Sequence, residues 1–197
     1  MPEGTNNRSL VIDTNALSYQ LAAWIEMRLD GKTRKSKDSR VKKAHDIISK
    51  YTEKFITPTI KSEFFDGDRV KQNILEDLRN LFGIRSRLFF NLLDKPLLKL
   101  KERIKELNVS CVKSDIDSIE IFYSNIISTL TQEEIADWKR GYGENKPLMP
   151  EHNDRTIIAE CKKAPQKITI ISNDRAFTFP KYKIALEREH NLLIEAL

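Results

Sequence analysis

Asp13, Glu63, Asp154 and Asp174 are the residues of this sequence whose types and settings suit chemistry. Carboxylates brought together without a counter-charge repel and raise one another's pKa values, so a cluster of them persists where a cation neutralises it. The chain holds three His and two Cys, none at ligand spacing, and neither Cys111 nor Cys161 belongs to a C-x-x-C pair. A structural zinc site is thereby disfavoured, and the donors that remain are hard oxygens, which select Mg2+ or Mn2+. Mg2+ held by few carboxylates keeps several waters. One of them can attack a phosphodiester while the metal offsets the growing charge. Taken singly, each acid has a plainer reading. Asp13 and Asp154 (or Asn153) are candidate helix caps, Glu63 a partner for a helix dipole, and Asp174 in Ser-Asn-Asp-Arg a turn residue. Caps alone have no reason to gather at one end of a sheet.

The elements that must position these acids follow from periodicity and punctuation. Ser9 to Ile12 is a short apolar run that stops at Asp13, a buried strand. Leu17, Leu21, Trp24, Ile25 and Met27 suit a helix from Ala16 to about Leu29, ended by Gly31. After a basic stretch, Val41, Ala44, Ile47 and Ile48 begin another helix, and Phe55-Ile56 forms a second strand. Thr57-Pro58 is a capping residue followed by Pro at the first helical position, which puts Glu63 inside the next helix. Residues 69–107 read as helical, broken near Gly83 and at Pro96. Asn108 to Val112 is expected as the third strand, and Ser114 begins a helix carrying Ile119, Phe122, Ile126 and Leu130. Thr131 to Glu134 matches a capping box that opens a helix through Trp138. Gly141 to Asn153 reads as a mobile loop, Asp154 to Lys163 as a helix, Ile168 to Ile171 as the fourth strand and Leu192 to Ile194 as a fifth.

Strands separated by helices imply parallel pairing and a three-layer α/β/α domain with four or five central strands. Such sheets gather ligands outside the carboxyl ends of their strands, where Asp13, Glu63 and Asp174 would converge. One domain is expected over residues 1–197, with a basic insertion at about 31–43 and a helical insertion at about 69–107. No apolar run approaches the ~20 residues a membrane span needs. Met1 to Arg8 lacks a secretory pattern, so a cytoplasmic location is expected.

Charge is unevenly spread. The net charge is +5, yet residues 32–43 alone hold Lys32, Arg34, Lys35, Lys37, Arg40, Lys42 and Lys43 against a single Asp. Residues 69–105 hold ten Lys/Arg against four Asp/Glu, so the rest of the chain is net acidic. Cationic stretches beside an acidic centre fit a polyanion-binding surface; an ordinary solvated loop and a Lys-rich helix are the plainer alternative. Acids, divalent metal and cations together describe a phosphodiesterase acting on nucleic acid.

Four segments carry a resemblance. Leu10-Val11-Ile12-Asp13-Thr14-Asn15, Thr57 to Phe64 around Glu63, Asn153-Asp154-Arg155 with the helix that follows, and Ile171-Ser172-Asn173-Asp174-Arg175-Ala176-Phe177 resemble the successive motifs of PIN domains. The motifs are short, but their order and their places after strands and at a helix start are specific. The match spans residues 9–179. The resemblance implies a PIN-like parallel sheet and an Mg2+/Mn2+-dependent endoribonuclease that hydrolyses RNA through a metal-activated water without a covalent intermediate. It implies Asp13, Glu63, Asp154 and Asp174 as catalytic and metal-binding residues, with Asn15 and Ser172 in support. It also carries the family's partners: RNA, a second copy of the chain and, for toxin members, an antitoxin-like protein. Many toxin members are shorter than this chain, so toxin and RNA-processing roles both stay open. Glu151 competes with Asp154 for its place. Two other readings stand beside it: a catalytically inactive PIN-like module binding RNA or protein, and a haloacid-dehalogenase-like phosphatase with Asp13 as nucleophile. The latter wants a second Asp at the position of Asn15.

Overall fold

Val11 and Ile170 sit side by side because both central strands are apolar on both faces, as a sheet covered by helices on each side requires. The computed structural model describes residues 8–28, 38–66, 70–82 and 88–197. Lys32, Arg34, Lys35 and Lys37, the expected stop at Gly31 and the break near Gly83 lie outside the described residues.

Strand β1 (Ser9–Ile12) leads into helix α1 (Thr14–Arg28), followed by α2 (Ser39–Ser49), β2 (Lys54–Ile56) and α3 (Pro58–Phe64). The inserted helices are α4 (Val70–Phe82) and α5 (Leu88–Arg103). Then come β3 (Lys105–Glu106), α6 (Lys113–Ile127), α7 (Gln132–Tyr142), α8 (His152–Lys163), β4 (Ile168–Ser172), α9 (Arg175–Thr178), α10 (Pro180–His190) and β5 (Leu193–Ala196). The strand order is β3-β2-β1-β4-β5, and every neighbouring pair is parallel. The α/β/α expectation therefore holds with five strands. Because β1 pairs with β2 on one side and β4 on the other, the chain order reverses there, and a crevice opens at the carboxyl ends of β1 and β4.

Helices α2, α4 and α5 pack on α1, while α8 and α10 pack on α6. Leu10, Val11 and Ile12 of β1 and Ile170 and Ile171 of β4 are fully buried. Each such side chain contributes roughly 1.5–3 kcal/mol relative to exposure. The Thr57 side chain accepts a hydrogen bond from the Ile60 N–H at 3.3 Å, so β2 passes into α3 as expected. The Thr131–Glu134 box forms both reciprocal bonds, at 3.2 and 2.8 Å.

Several expectations are corrected. The third strand is Lys105–Glu106, not Asn108 to Val112, because the Leu107 N–H still bonds Ile56 while Val109 N–H turns back to Leu107. The apolar residues Val109 and Cys111 that suggested a strand pack against the core from a loop, and Val112 is exposed. Pro96 does not end its helix: α5 runs through it, with Leu93 and Leu100 buried on either side, and stops at Arg103 instead of 107. The stretch read as a mobile loop is shorter, since α7 reaches Tyr142 and α8 starts at His152, and it is fastened down. Trp138 Nε1 donates to the Pro147 carbonyl (3.1 Å), Tyr182 Oη to Leu148 (2.8 Å) and Arg155 Nη1 to Pro150 (2.6 Å). No described helix is long and apolar enough to cross a membrane.

Candidate active site

At the end of β1 the Asp13 N–H bonds the Ile171 carbonyl (3.1 Å) and the Asp13 carbonyl accepts from Leu17 N–H (3.0 Å), so the residue joins the sheet and α1 at once. That double tie leaves its side chain at the crevice, only 5% exposed. Oδ1 accepts the Thr14 N–H at 2.7 Å, and Oδ2 accepts Asn15 Nδ2 at 2.9 Å and the Ser172 hydroxyl at 2.6 Å. Burial nonetheless pushes the Asp13 carboxyl up to about 6. The bonds from Ser172 and Thr14 oppose that rise, while the charges of Asp174 and Glu63 add to it.

Ser172, fully buried at the end of β4, also accepts the Asp174 N–H at 2.9 Å and thereby joins two of the acids. Asn15 works from the other side, its Oδ1 accepting the Asn173 N–H at 3.0 Å. Asp174 caps α9 through the Ala176 N–H (2.8 Å), a helix cap where a turn residue was the plainer expectation. It does so inside the acidic cluster, where its charge acts on Asp13, Asp154 and Tyr142.

Glu63 reaches the same edge from α3. Its Oε2 accepts Thr14 Oγ1 at 2.9 Å and its Oε1 accepts Asn153 Nδ2 at 2.6 Å. Asp154 stands in the first turn of α8, accepting the Glu151 N–H at 3.1 Å. Burial, joined by the charges of Asp174, Asp13 and Glu151, pushes its carboxyl up to about 8. Glu151 itself is exposed and paired with Lys146 at 2.7 Å, so Asp154 is the inner acid of the two.

The cations next to these acids in sequence turn elsewhere. Arg155 pairs with Glu120 at 3.2 Å, and Arg175 with Asp137 at 2.7 Å. Among the described residues no group of three or more His, Cys, Asp or Glu is arranged to hold a metal ion. The all-oxygen donor set and the buried, mutually repelling carboxylates still fit a hard divalent cation. Hydrogen bonds set the side-chain positions of these acids, Glu63 through Thr14 and Asn153 and Asp154 through the Glu151 N–H.

Sequence reasoning missed several contributors. Thr14 and Asn153 position Glu63, yet nothing but their place inside the motifs pointed to them. Tyr142 closes the site from the end of α7, its hydroxyl pKa raised by burial and by Asp174, Asp154 and Glu151. A further buried acid, Glu160, accepts Thr59 Oγ1 at 3.0 Å and ties α8, which carries Asp154, to the start of α3, which carries Glu63. Of the basic segment, Lys42 and Lys43 are exposed on α2, whereas Arg40 is held by Asp38 through Nε at 2.9 Å and Nη2 at 2.5 Å. Trp138 is fully buried in the core; His152 is exposed and opens α8 instead of lying in a loop. Comparison with protein-family models, curated proteins and solved structures found no match for this chain.

Proposed function

We propose that this chain is an Mg2+- or Mn2+-dependent endoribonuclease that hydrolyses RNA phosphodiester bonds at the crevice between β1 and β4. The observation that carries this reading is the meeting, at one sheet edge, of the buried Asp13 and the half-buried Asp154 from distant segments, both carboxyls being raised by desolvation and by acidic neighbours. A fold keeps such a repulsive arrangement when a cation is part of its working state. Asp13, Glu63, Asp154 and Asp174 would hold the cation. When bound, it would make water easier to deprotonate and offset charge growing on the phosphodiester. Asp13 is the fixed point of the site, oriented by Ser172, Asn15 and the Thr14 N–H. Glu63 and Asp154 are the acids free to adjust, since each is only half buried and tied by bonds that a side-chain rotation exchanges. Lys42 and Lys43 on α2 are cations available to a phosphate backbone.

A phospho-aspartate route fits poorly. Asp13 is enclosed, both its oxygens are engaged, and the position two residues on is Asn15, whose amide serves Asp13. The test is incubation of the purified chain with structured and unstructured RNAs in Mn2+ or in chelator. Fragments are expected with Mn2+ alone, and Asp13→Asn should lower their release at least a hundredfold while the circular dichroism spectrum stays native. Wild-type rates in that variant would defeat the assignment; intact RNA with retained binding would favour the inactive module.

A further inference from the structure

Beside the acids lies a cleft of about 580 Å³ between α1, α2 and α4, walled by Asn15, Ser18, Tyr19, Arg40, Asp77 and Asn80. We infer that this cleft is a nucleobase pocket selecting guanine in the RNA strand that the acidic crevice cleaves. The inference rests on the nuclease reading for its strand, and on the cleft's own chemistry for its base.

Position comes first. Asn15 is at once a wall of the cleft and a donor to Asp13, so a base seated there adjoins the carboxylates. The volume falls in the roughly 300–1,000 Å³ range of small-molecule sites. A flat surface is also present. The Arg40 guanidinium lies over the Tyr19 ring, 5.3 Å from its centroid, and Asp38 grips it through Nε and Nη2. A guanidinium stacked on an aromatic ring offers its plane to an unstacked base. Because Asp38 offsets its charge, this Arg favours a neutral ring over a phosphate.

The hydrogen-bonding edge is supplied by α4, where Asp77 and Asn80 stand three residues apart on one helical face. The buried Ser18 hydroxyl donates to Asp77 Oδ2 at 2.7 Å and sets the carboxylate's direction. An ionised carboxylate only accepts, and it can accept on both oxygens. Guanine presents two donors side by side, the ring N1–H and the exocyclic amine. Adenine and cytosine set one amine next to a ring acceptor, and uracil flanks its single N–H with two carbonyls. Guanine alone offers Asp77 a pair of donors, and Asn80 can meet the acceptor at guanine's O6.

Binding is measured without cleavage, by calorimetric or NMR titration of the full chain with guanosine and uridine 5′-monophosphates in chelator. Guanosine monophosphate is expected to bind about tenfold or more tightly. Asp77→Asn should bring that ratio down to about one, since the preference is the discrimination of roughly 5- to 150-fold that a bidentate base contact supplies. Glu76→Gln, removing the adjacent exposed charge, should leave the ratio as it is. Asp77 is exposed, so the variant should fold, and its circular dichroism spectrum checks this. An equal affinity for the two nucleotides, or a ratio that survives Asp77→Asn or falls equally with Glu76→Gln, overturns the pocket. A chain that shows the preference but releases no RNA fragments keeps the pocket and loses the nuclease reading. One that cleaves RNA but binds the two nucleotides alike does the reverse.

Discussion

At Asp13 the carboxylate receives hydrogen bonds from Ser172, Asn15 and the Thr14 N–H, yet its pKa stands near 6, because burial and two acidic neighbours outweigh those donors. Asp154 goes further, to about 8, with a single backbone donor opposing burial and three like charges. Both folded-state values lie above the value of about 3.9 expected for Asp in an unfolded chain. The native chain thus binds these protons more tightly, so their contribution stabilises at low pH and is lost as pH rises from about 4 to 8. Thermal melts in chelator should therefore show midpoints falling across that window. Asp154→Asn should flatten the fall and melt higher than the parent at pH 8 but not at pH 4. A parent whose melting point rises steadily to pH 8 would contradict the buried-acid description. The same protons should leave when a divalent cation binds, so Mn2+ affinity should climb over the same range, read as proton release in buffers of different ionisation heat.

Among the elements, the connection 143–151 is the one whose behaviour departs most from its composition. Gly143 takes a φ of 113° there, a conformation few other residues tolerate, and marks the abrupt end of α7. Beyond it the backbone is held by Trp138, Tyr182 and Arg155. Those anchors come from the flanking helices α7 and α8 and from α10, and they fix the entry into α8, hence the position of Asp154. Tyr182→Phe removes one anchor. It is expected to cost about 1 kcal/mol, the ordinary net value of one hydrogen bond, and to leave an uncompensated Leu148 carbonyl. Limited proteolysis should then cut within 143–151 sooner than in the parent. Unchanged cutting together with an unchanged melting point would show the fastening to be redundant.

For the molecule as a whole, the described parts of the two cationic stretches fall in one helical layer, since α2, α4 and α5 all pack on α1. Part of that charge is already engaged: Lys99 and Arg103 lie over the Trp24 ring, 5.0 and 5.7 Å from its centroid, and Arg40 is held by Asp38. Replacing Lys32, Arg34, Lys35, Lys37, Lys42 and Lys43 by Gln, with Arg40 kept, tests the remainder. Each lost phosphate contact lowers the salt slope on single strands by about 0.7, so a flattening of roughly 2 to 4 units in RNA binding is expected. Turnover at saturating RNA should hardly change, because the acids are carried by other elements. A slope equal to the parent's would move the binding surface to α4 and α5.

What the residues determined by themselves was local. Ser9 to Ile12 and Ile168 to Ile171 are apolar on both faces, which only a covered parallel sheet accommodates, and Thr57-Pro58 starts a helix by its own chemistry. Those features alone put Asp13, Glu63 and Asp174 at one edge of the sheet. The contacts themselves were decided in three dimensions. A two-residue edge strand such as Lys105–Glu106 has no apolar signature, because it is exposed and paired through its backbone. Pro96 stays helical because the burial of Leu93 and Leu100 overrides a local breaker. Ser172 between Asp13 and Asp174, Asn153 on Glu63, Arg40 on Tyr19 and the cleft at Asp77 depend on side chains meeting across elements. Periodicity tells which face a residue occupies; only packing decides which residue it meets there.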